Sequence, residues 1–317
     1  MAKVRAGLPG RRDRMGSAGR TTIAGSRSQD GRGPCSSIAS LPVPGFLYGT
    51  AWKEQETERL TGLALEAGFR GVDTANQRRH YFEAGVGAAL KKAIAGGVVR
   101  REDVFLQTKF TYSGGQDHRL PYDPGADPAT QVRQSFASSL EHLQVDSIDS
   151  YVLHGPSSRR GLTASDRDVW RTMEELQAAG RARFLGISNV ALDQIEELWT
   201  HAVVPPAFVQ NRCFASLGWD RAVRDFCRAK GIVYQGFSLL TANGRELQHP
   251  AFLRLVARVG KSPAQVVFRF AQQVGMLPLT GTSDAGHMRG DLEADRFDLS
   301  EEDVHLMETL ATVETSR

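Results

Sequence analysis

From Leu41 onward, short β-branched or aromatic runs alternate with longer amphipathic stretches, and eight such runs follow one another. No other feature restricts the fold so strongly. The runs are Phe46–Ala51, Arg70–Ala75, Val104–Phe110, Ile148–His154, Arg183–Asn189, Ala207–Arg212, Ile232–Ser238 and Met276–Thr282. The stretches between them include Thr57–Ala67, Ala129–His142, Val169–Ala179, Leu192–His201, Trp219–Lys230 and Ser262–Val274. Several are followed by a glycine placed as a helix stop: Gly68, Gly180, Gly231 and Gly275. Strand and helix in regular succession predict parallel β/α units. An open doubly wound sheet and a closed barrel both satisfy the count. No Gly-x-Gly-x-x-Gly opens a helix after the first run, which counts against the open dinucleotide-binding sheet. A closed barrel takes roughly 250 residues. The reading is therefore an α/β chain, a (β/α)8 TIM barrel over residues 41–317.

The first 40 residues read differently. They hold eight Lys and Arg against two Asp, a net of +6, whereas the rest of the 317-residue chain nets −3. Rich in Gly, Arg and Ser, such a segment buries too little apolar surface to offset its ordering entropy. Residues 1–40 are expected to form a disordered basic tail. The mildly acidic remainder offers no nucleic-acid footprint. No run of eighteen apolar residues suggests a membrane span, and no apolar segment suggests a secretory signal. Cys35, Cys213 and Cys227 are odd in number and lack a Cys-x-x-Cys pair. That argues against a disulfide framework or a cysteine zinc site. No metal is expected, and a reducing, cytoplasmic location fits.

In a (β/α)8 barrel the functional residues gather at the carboxyl ends of the strands. The second run ends near Asp73, the third at Lys109, the fourth at His154; the fifth closes on Ser188 and Asn189, and the sixth carries Gln210. Each alone has a plain explanation as a turn, a solvated or a core residue. Three different ionisable groups on consecutive strands are harder to dismiss, because burying them unpaired costs several kcal/mol. Asp73 beside Lys109 solves that problem and leaves a fixed positive charge near a proton donor. Carbonyl reduction needs a hydride donor, a group that polarises the oxygen and an acid. A tyrosine suits the acid role if a nearby ammonium lowers its pKa from about 10, and Tyr81 follows in the loop after Asp73.

Taken in order, these pieces resemble the aldo-keto reductases over nearly all of residues 41–310. The resemblance rests on Gly-Thr-Ala-Trp (49–52), Ala-Gly-Phe-Arg-Gly-Val-Asp-Thr-Ala (67–75), Thr-Lys (108–109) and Ser-Leu-Glu-His-Leu (139–143). It continues through Leu-His-Gly-Pro (153–156), Leu-Gly-Ile-Ser-Asn (185–189), Gly-Phe-Ser-Leu-Leu (236–240) and Pro-Ala-Gln-Val-Val-Phe-Arg (263–269). It implies NAD(P)H-dependent reduction of an aldehyde or ketone, with Asp73, Tyr81, Lys109 and His154 as the catalytic set. For the cofactor it implies Gly49, Thr50, Ser188, Asn189, Gln210, Phe237, Ser238, Leu240, Gly281, Thr282, Ser283 and His287. Phe237 would stack on the nicotinamide. The implied partner is a small carbonyl compound bound by a monomer or weak homo-oligomer.

Two departures from the family pattern matter. Counting back from Glu83 places His80 at the tyrosine's column, with Tyr81 one residue off; Tyr81 is taken as the acid and His80 as the alternative. At the cofactor's adenosine end, Gly281, His287 and Asp291 stand where the family carries Lys, Arg and Asn, with Arg289 close by. The backbone N–H groups of the Gly281–Ser283 turn, at a helix N-terminus, would still bind phosphate. NADP(H) is the expected cofactor, with weaker discrimination against NAD(H). Trp52, His80, Phe110 and Tyr112 are expected to wall the substrate pocket, under a long loop at Gly114–Asp127. The competing reading is a nucleotide-sensing or partner-binding barrel with little turnover, motivated by the displaced tyrosine.

Overall fold

The computed structural model describes residues 43–312; the tail at 1–40 and Cys35 lie outside them. Eight strands close into a barrel: β1 (Leu47–Gly49), β2 (Gly71–Asp73), β3 (Phe105–Phe110), β4 (Ile148–Leu153), β5 (Ala182–Ser188), β6 (Phe208–Arg212), β7 (Val233–Phe237) and β8 (Met276–Thr280). Every neighbouring pair is parallel, and β1 pairs with β8 to close the ring. Seven strands lie within their expected runs and β5 begins one residue before its own, although β1 and β2 keep only three residues each.

The surrounding helices are α1 (Thr57–Ala67), α2 (Glu83–Ala95), α3 (Pro128–Leu143), α4 (Ala164–Ala178), α5 (Leu192–His201), α6 (Arg221–Lys230), α7 (Pro250–Val259), α8 (Pro263–Gln273), α9 (Ala285–Leu292) and α10 (Glu301–Thr309). Local chemistry sets their ends. Thr163 and Asp166 form a reciprocal capping box, so α4 starts five residues before the apolar pattern suggested. Gly231 ends α6 at φ 72°, where a β-carbon would clash with the backbone. Trp219 and Asp220 also have positive φ, and α6 therefore begins after them.

Side chains alternate in and out along each strand, and β3 shows what this does. Phe105, Gln107 and Lys109 point into the barrel; Leu106, Thr108 and Phe110 point out toward the helices. The floor is an apolar plug of Leu47, Phe105, Phe184, Ala207, Phe208 and Leu277. Above it lies a polar layer, in which the side-chain amides of Gln107 and Gln235 bond each other at 2.8 and 3.0 Å. No helix among the described residues is long and apolar enough to cross a membrane.

Candidate active site

The polar layer carries an ion pair at its top. Lys109 Nζ donates to both oxygens of Asp73, at 2.6 and 2.7 Å, and to the Thr74 carbonyl at 2.8 Å. Asp73 Oδ1 also accepts from Gln107 at 2.7 Å and Gln210 at 3.0 Å. Both ions are buried. A buried pair is costly unless its remaining lone pairs and protons are satisfied, and the glutamines of β3 and β6 supply that satisfaction.

Tyr81 and His154 stand over this pair. Their ring centroids are 6.0 Å apart, edge to face, and Lys109 Nζ lies 5.3 Å from the centroid of the Tyr81 ring. The His80 ring stacks on Trp52 with centroids 3.8 Å apart, and the Trp52 backbone N–H donates to the His80 carbonyl at 2.7 Å. Tyr81, not His80, is thus the residue beside Lys109 and His154, despite the one-residue slip. Burial, aided by Lys109 and His80, pushes His154 down to about 3, so its ring is neutral.

One expectation needs correction. Tyr81 does not have a lowered pKa; burial, and then the Asp73 charge, raise it. The Lys109 ammonium has spent its three N–H groups on Asp73 and Thr74, and it lies over the Tyr81 ring. Burial also lowers the pKa of Lys109 itself, against the opposing pull of Asp73.

Other expected site residues divide by which way the strand turns them. Phe110 is fully buried on the outer face of β3, between Tyr112 and Tyr122, because Lys109 takes the inward position. It cannot wall the mouth. Tyr112 packs against the main core and donates its hydroxyl to Asp166 at 2.8 Å, so its polar end is not free either. Thr50 is buried, its N–H and hydroxyl both on the Asp73 carbonyl at 3.0 Å, and it positions Asp73 instead of facing a ligand. Gly49 is buried where β1 packs on β8, and a Cβ there would meet Leu279 at 2.5 Å. Gln210 gives both amide hydrogens to Asp73 and Gln235, which leaves only its carbonyl oxygen for another group.

The rim holds the rest. Ser188 bonds the Gln210 carbonyl at 2.6 Å, and Asn189 donates to the His154 carbonyl at 2.8 Å. Phe237 at the end of β7, and Ser238 and Leu240 just beyond it, are half-buried. Trp52, Asn189 and Ser238 all have positive φ, uncommon for residues with a β-carbon. All three lie just past the carboxyl ends of β1, β5 and β7, where strain collects at functional sites. Beyond β8, Gly281, Ser283 and His287 are exposed and Thr282 is half-buried. The N-terminus of α9 is not open as expected: Asp284 caps it, accepting the His287 N–H at 2.8 Å. Asp is a favoured capping residue, and here it satisfies the His287 N–H of the first turn. The Gly114–Asp127 loop is tied to the Tyr81 segment, Gln77 donating to the Gly115 carbonyl at 2.6 Å and Gln116 to the Asn76 carbonyl at 2.8 Å.

Residues 46–312 match the model of the aldo/keto reductase family. The chain belongs to that family. This aldo/keto reductase is 31% identical to deoxymugineic acid synthase 1-D of Triticum aestivum over 285 residues, 82% of this chain and 85% of the wheat protein. It is 28% identical over 299 residues to aldo-keto reductase family 1 member C1 of Macaca fuscata fuscata, 85% of this chain and 88% of that one. Among solved structures, the aldo-keto reductase AKR2E5 of Bombyx mori, crystallised with NADPH, aligns at a TM-score of 0.72 and 26% identity, covering 85% of this chain and 84% of that one.

One further residue, with no motif around it in the sequence, fits a nucleotide cofactor. Lys53 of the reductase is 8% exposed, donates to the Gly281 carbonyl at 2.6 Å, and has no carboxylate partner among the described residues. Burial lowers its pKa to about 8. A buried cation without an anion, beside the turn after β8, fits a phosphate. Its only sequence signal was a lysine directly after Trp52. Gln107 and Gln235 were also missed, although Gln107 sits two residues before Lys109 and so on the same face.

Proposed function

We propose that this reductase converts an aldehyde or ketone to the alcohol, with Tyr81 as general acid and His154 orienting the carbonyl. NADP(H) is its preferred cofactor, with NAD(H) also accepted. The convergence of Tyr81, His154 and Lys109 over the buried Asp73 carries this reading. Bound NADPH supplies the hydride. The neutral His154 ring has an N–H to give the carbonyl oxygen, which polarises the carbon. Tyr81 keeps its proton at neutral pH, and the oxygen that gains charge becomes a stronger base than a phenolate, so transfer runs downhill without a lowered phenol pKa. The Lys109 ammonium then opposes the charge left on the ring.

Several features support the cofactor's placement: Ser188, Asn189 and the Gln210 oxygen for the carboxamide, and Phe237 for the ring face, with Ser238 and Leu240 beside it. Lys53 with Gly281, Thr282, Ser283 and His287 would serve the phosphates. Trp52 and His80 form the substrate wall that remains. Cys213 and Cys227 are free and buried, in keeping with a reducing cytoplasmic setting. The protein acts as a monomer or weak homo-oligomer on a small carbonyl compound.

The test mixes purified protein with NADPH and a panel of aldehydes and ketones and follows loss of reduced-cofactor absorbance. Turnover that Tyr81→Phe abolishes supports the assignment. Tight NADPH binding with no consumption across the panel replaces it with a nucleotide-sensing barrel.

A further inference from the structure

Thr111 stands two residues beyond Lys109 and is 6% exposed. It is held from several sides. Its carbonyl accepts from the Tyr122 hydroxyl at 2.7 Å. Its γ-methyl occupies space into which a Cβ on Gly115 would come within 2.7 Å. A β-branched side chain is restricted at χ1, and this confinement narrows it further. Its hydroxyl lies 2.7 Å from Nδ1 of His154, and neither of these two atoms has another hydrogen-bond partner among the described residues.

A neutral imidazole has one proton to place. With that proton on Nδ1, the ring would donate to Thr111, and the threonine's own proton would face no acceptor in a buried site. With Nδ1 bare, Thr111 donates, both groups are satisfied, and the proton sits on Nε2. Leaving a buried donor unsatisfied shifts such a ratio by about tenfold to a hundredfold.

We propose that Thr111 is a positioning residue that holds His154 in the Nε2–H form and fixes its ring plane, so that the ring donates to a carbonyl oxygen at the barrel mouth. The proposal rests on the reading of His154 as the carbonyl-orienting group. Thr111 thereby acts on specificity as well as rate, because the direction of that N–H sets where a carbonyl can sit.

The experiment uses 15N-histidine-labelled full-length protein without cofactor, with the His154 signals assigned by their loss in His154→Gln. The wild type is expected to show a protonated Nε2 and a bare Nδ1. Thr111→Val, nearly isosteric, is expected to mix the two forms, and Thr111→Ser to restore the wild-type pattern. In parallel, Thr111→Val is expected to lower kcat/KM for carbonyl substrates about tenfold to a hundredfold, with the NADPH dissociation constant unchanged and Thr111→Ser recovering most of the loss. A protonated Nδ1 in the wild type, or an unaltered His154 pattern in Thr111→Val, overturns the proposal. If the nitrogen pattern changes as expected but the wild type reduces no carbonyl, the tautomer assignment stands and the reductase reading falls.

Discussion

Asp73 and Lys109 are locked together inside the barrel, the ammonium nitrogen 2.6 and 2.7 Å from the two carboxylate oxygens and both side chains buried. Neither ion has water to fall back on. Removing one partner strands the other, which costs about 3–5 kcal/mol, whereas removing both charges costs much less. Lys109→Met is therefore expected to lose about 3–5 kcal/mol of unfolding free energy. The double variant Asp73→Asn with Lys109→Met is expected to regain most of it while remaining inactive. Denaturant titration of the three proteins checks this, and equal losses in the single and double variants would contradict it.

The position of Tyr81 yields a clean separation from its neighbour. Tyr81→Phe is expected to lower the reduction rate by about 10²- to 10⁴-fold, the usual contribution of a general acid, with NADPH binding unchanged. His80→Gln, which alters the ring stacked on Trp52, is expected to stay within a few fold of wild type and to change mainly KM. Steady-state kinetics on both variants decide it; near-full activity in Tyr81→Phe would remove the phenol from the mechanism.

The raised pKa of Tyr81 has a sign that can be read in solution. Reduction needs the protonated phenol, which is lost only as pH rises through a value above the ordinary one of about 10. The rate of carbonyl reduction is expected to show no Tyr81-dependent fall between about pH 6 and about pH 9. The reverse reaction needs the phenolate and is expected to climb across the same interval. A falling reductive limb near neutrality that Tyr81→Phe removes would show a phenol tuned downward after all.

His154 also couples to stability. Its folded pKa, about 3, lies below its unfolded value near 6.5, so between the two the unfolded chain binds more protons. Stability is then fully present above the unfolded pKa and falls as pH drops toward the folded one, by up to about 1.4 kcal/mol per pH unit. Unfolding free energies at a series of pH values are expected to fall less steeply for His154→Gln than for wild type. Parallel profiles would refute the depressed pKa.

At the cofactor's phosphate end, Lys53→Met is expected to weaken NADPH and NADH binding alike, by roughly tenfold, the scale of one charge-assisted contact. Arg289→Ala is expected to weaken NADPH alone. Fluorescence titrations with both nucleotides measure this, and an unaltered NADH constant in Lys53→Met would place the lysine at the 2′-phosphate instead.

The barrel was legible because its signal is periodic: eight runs and the glycines after the helices state the strand–helix rhythm directly. The start of α4 was not, since it depends on a reciprocal bond between Thr163 and Asp166 rather than on an apolar stripe. At the site, Asp73, Lys109 and His154 stood out as ionisable groups on strand ends. Phe110 was misassigned because nearness to Lys109 in sequence says nothing about face, and a pleated strand sends adjacent residues to opposite sides. Lys53 and Thr111 escaped notice for another reason. Their partners, Gly281 and His154, are 228 and 43 residues away, and only closure of the barrel brings them together.

The glutamine layer has a consequence for how this protein could change its chemistry. Gln107, Gln210 and Gln235 brace one another and Asp73 across the barrel axis, so the chamber cannot be deepened without unpicking the lattice that keeps the acid–base apparatus in register. Diversification must proceed at the rim, where Trp52 stacks on His80 and the loops beyond the strands tolerate exchange. New substrates would be acquired by rebuilding the lip of the vessel, its base being the same for all of them.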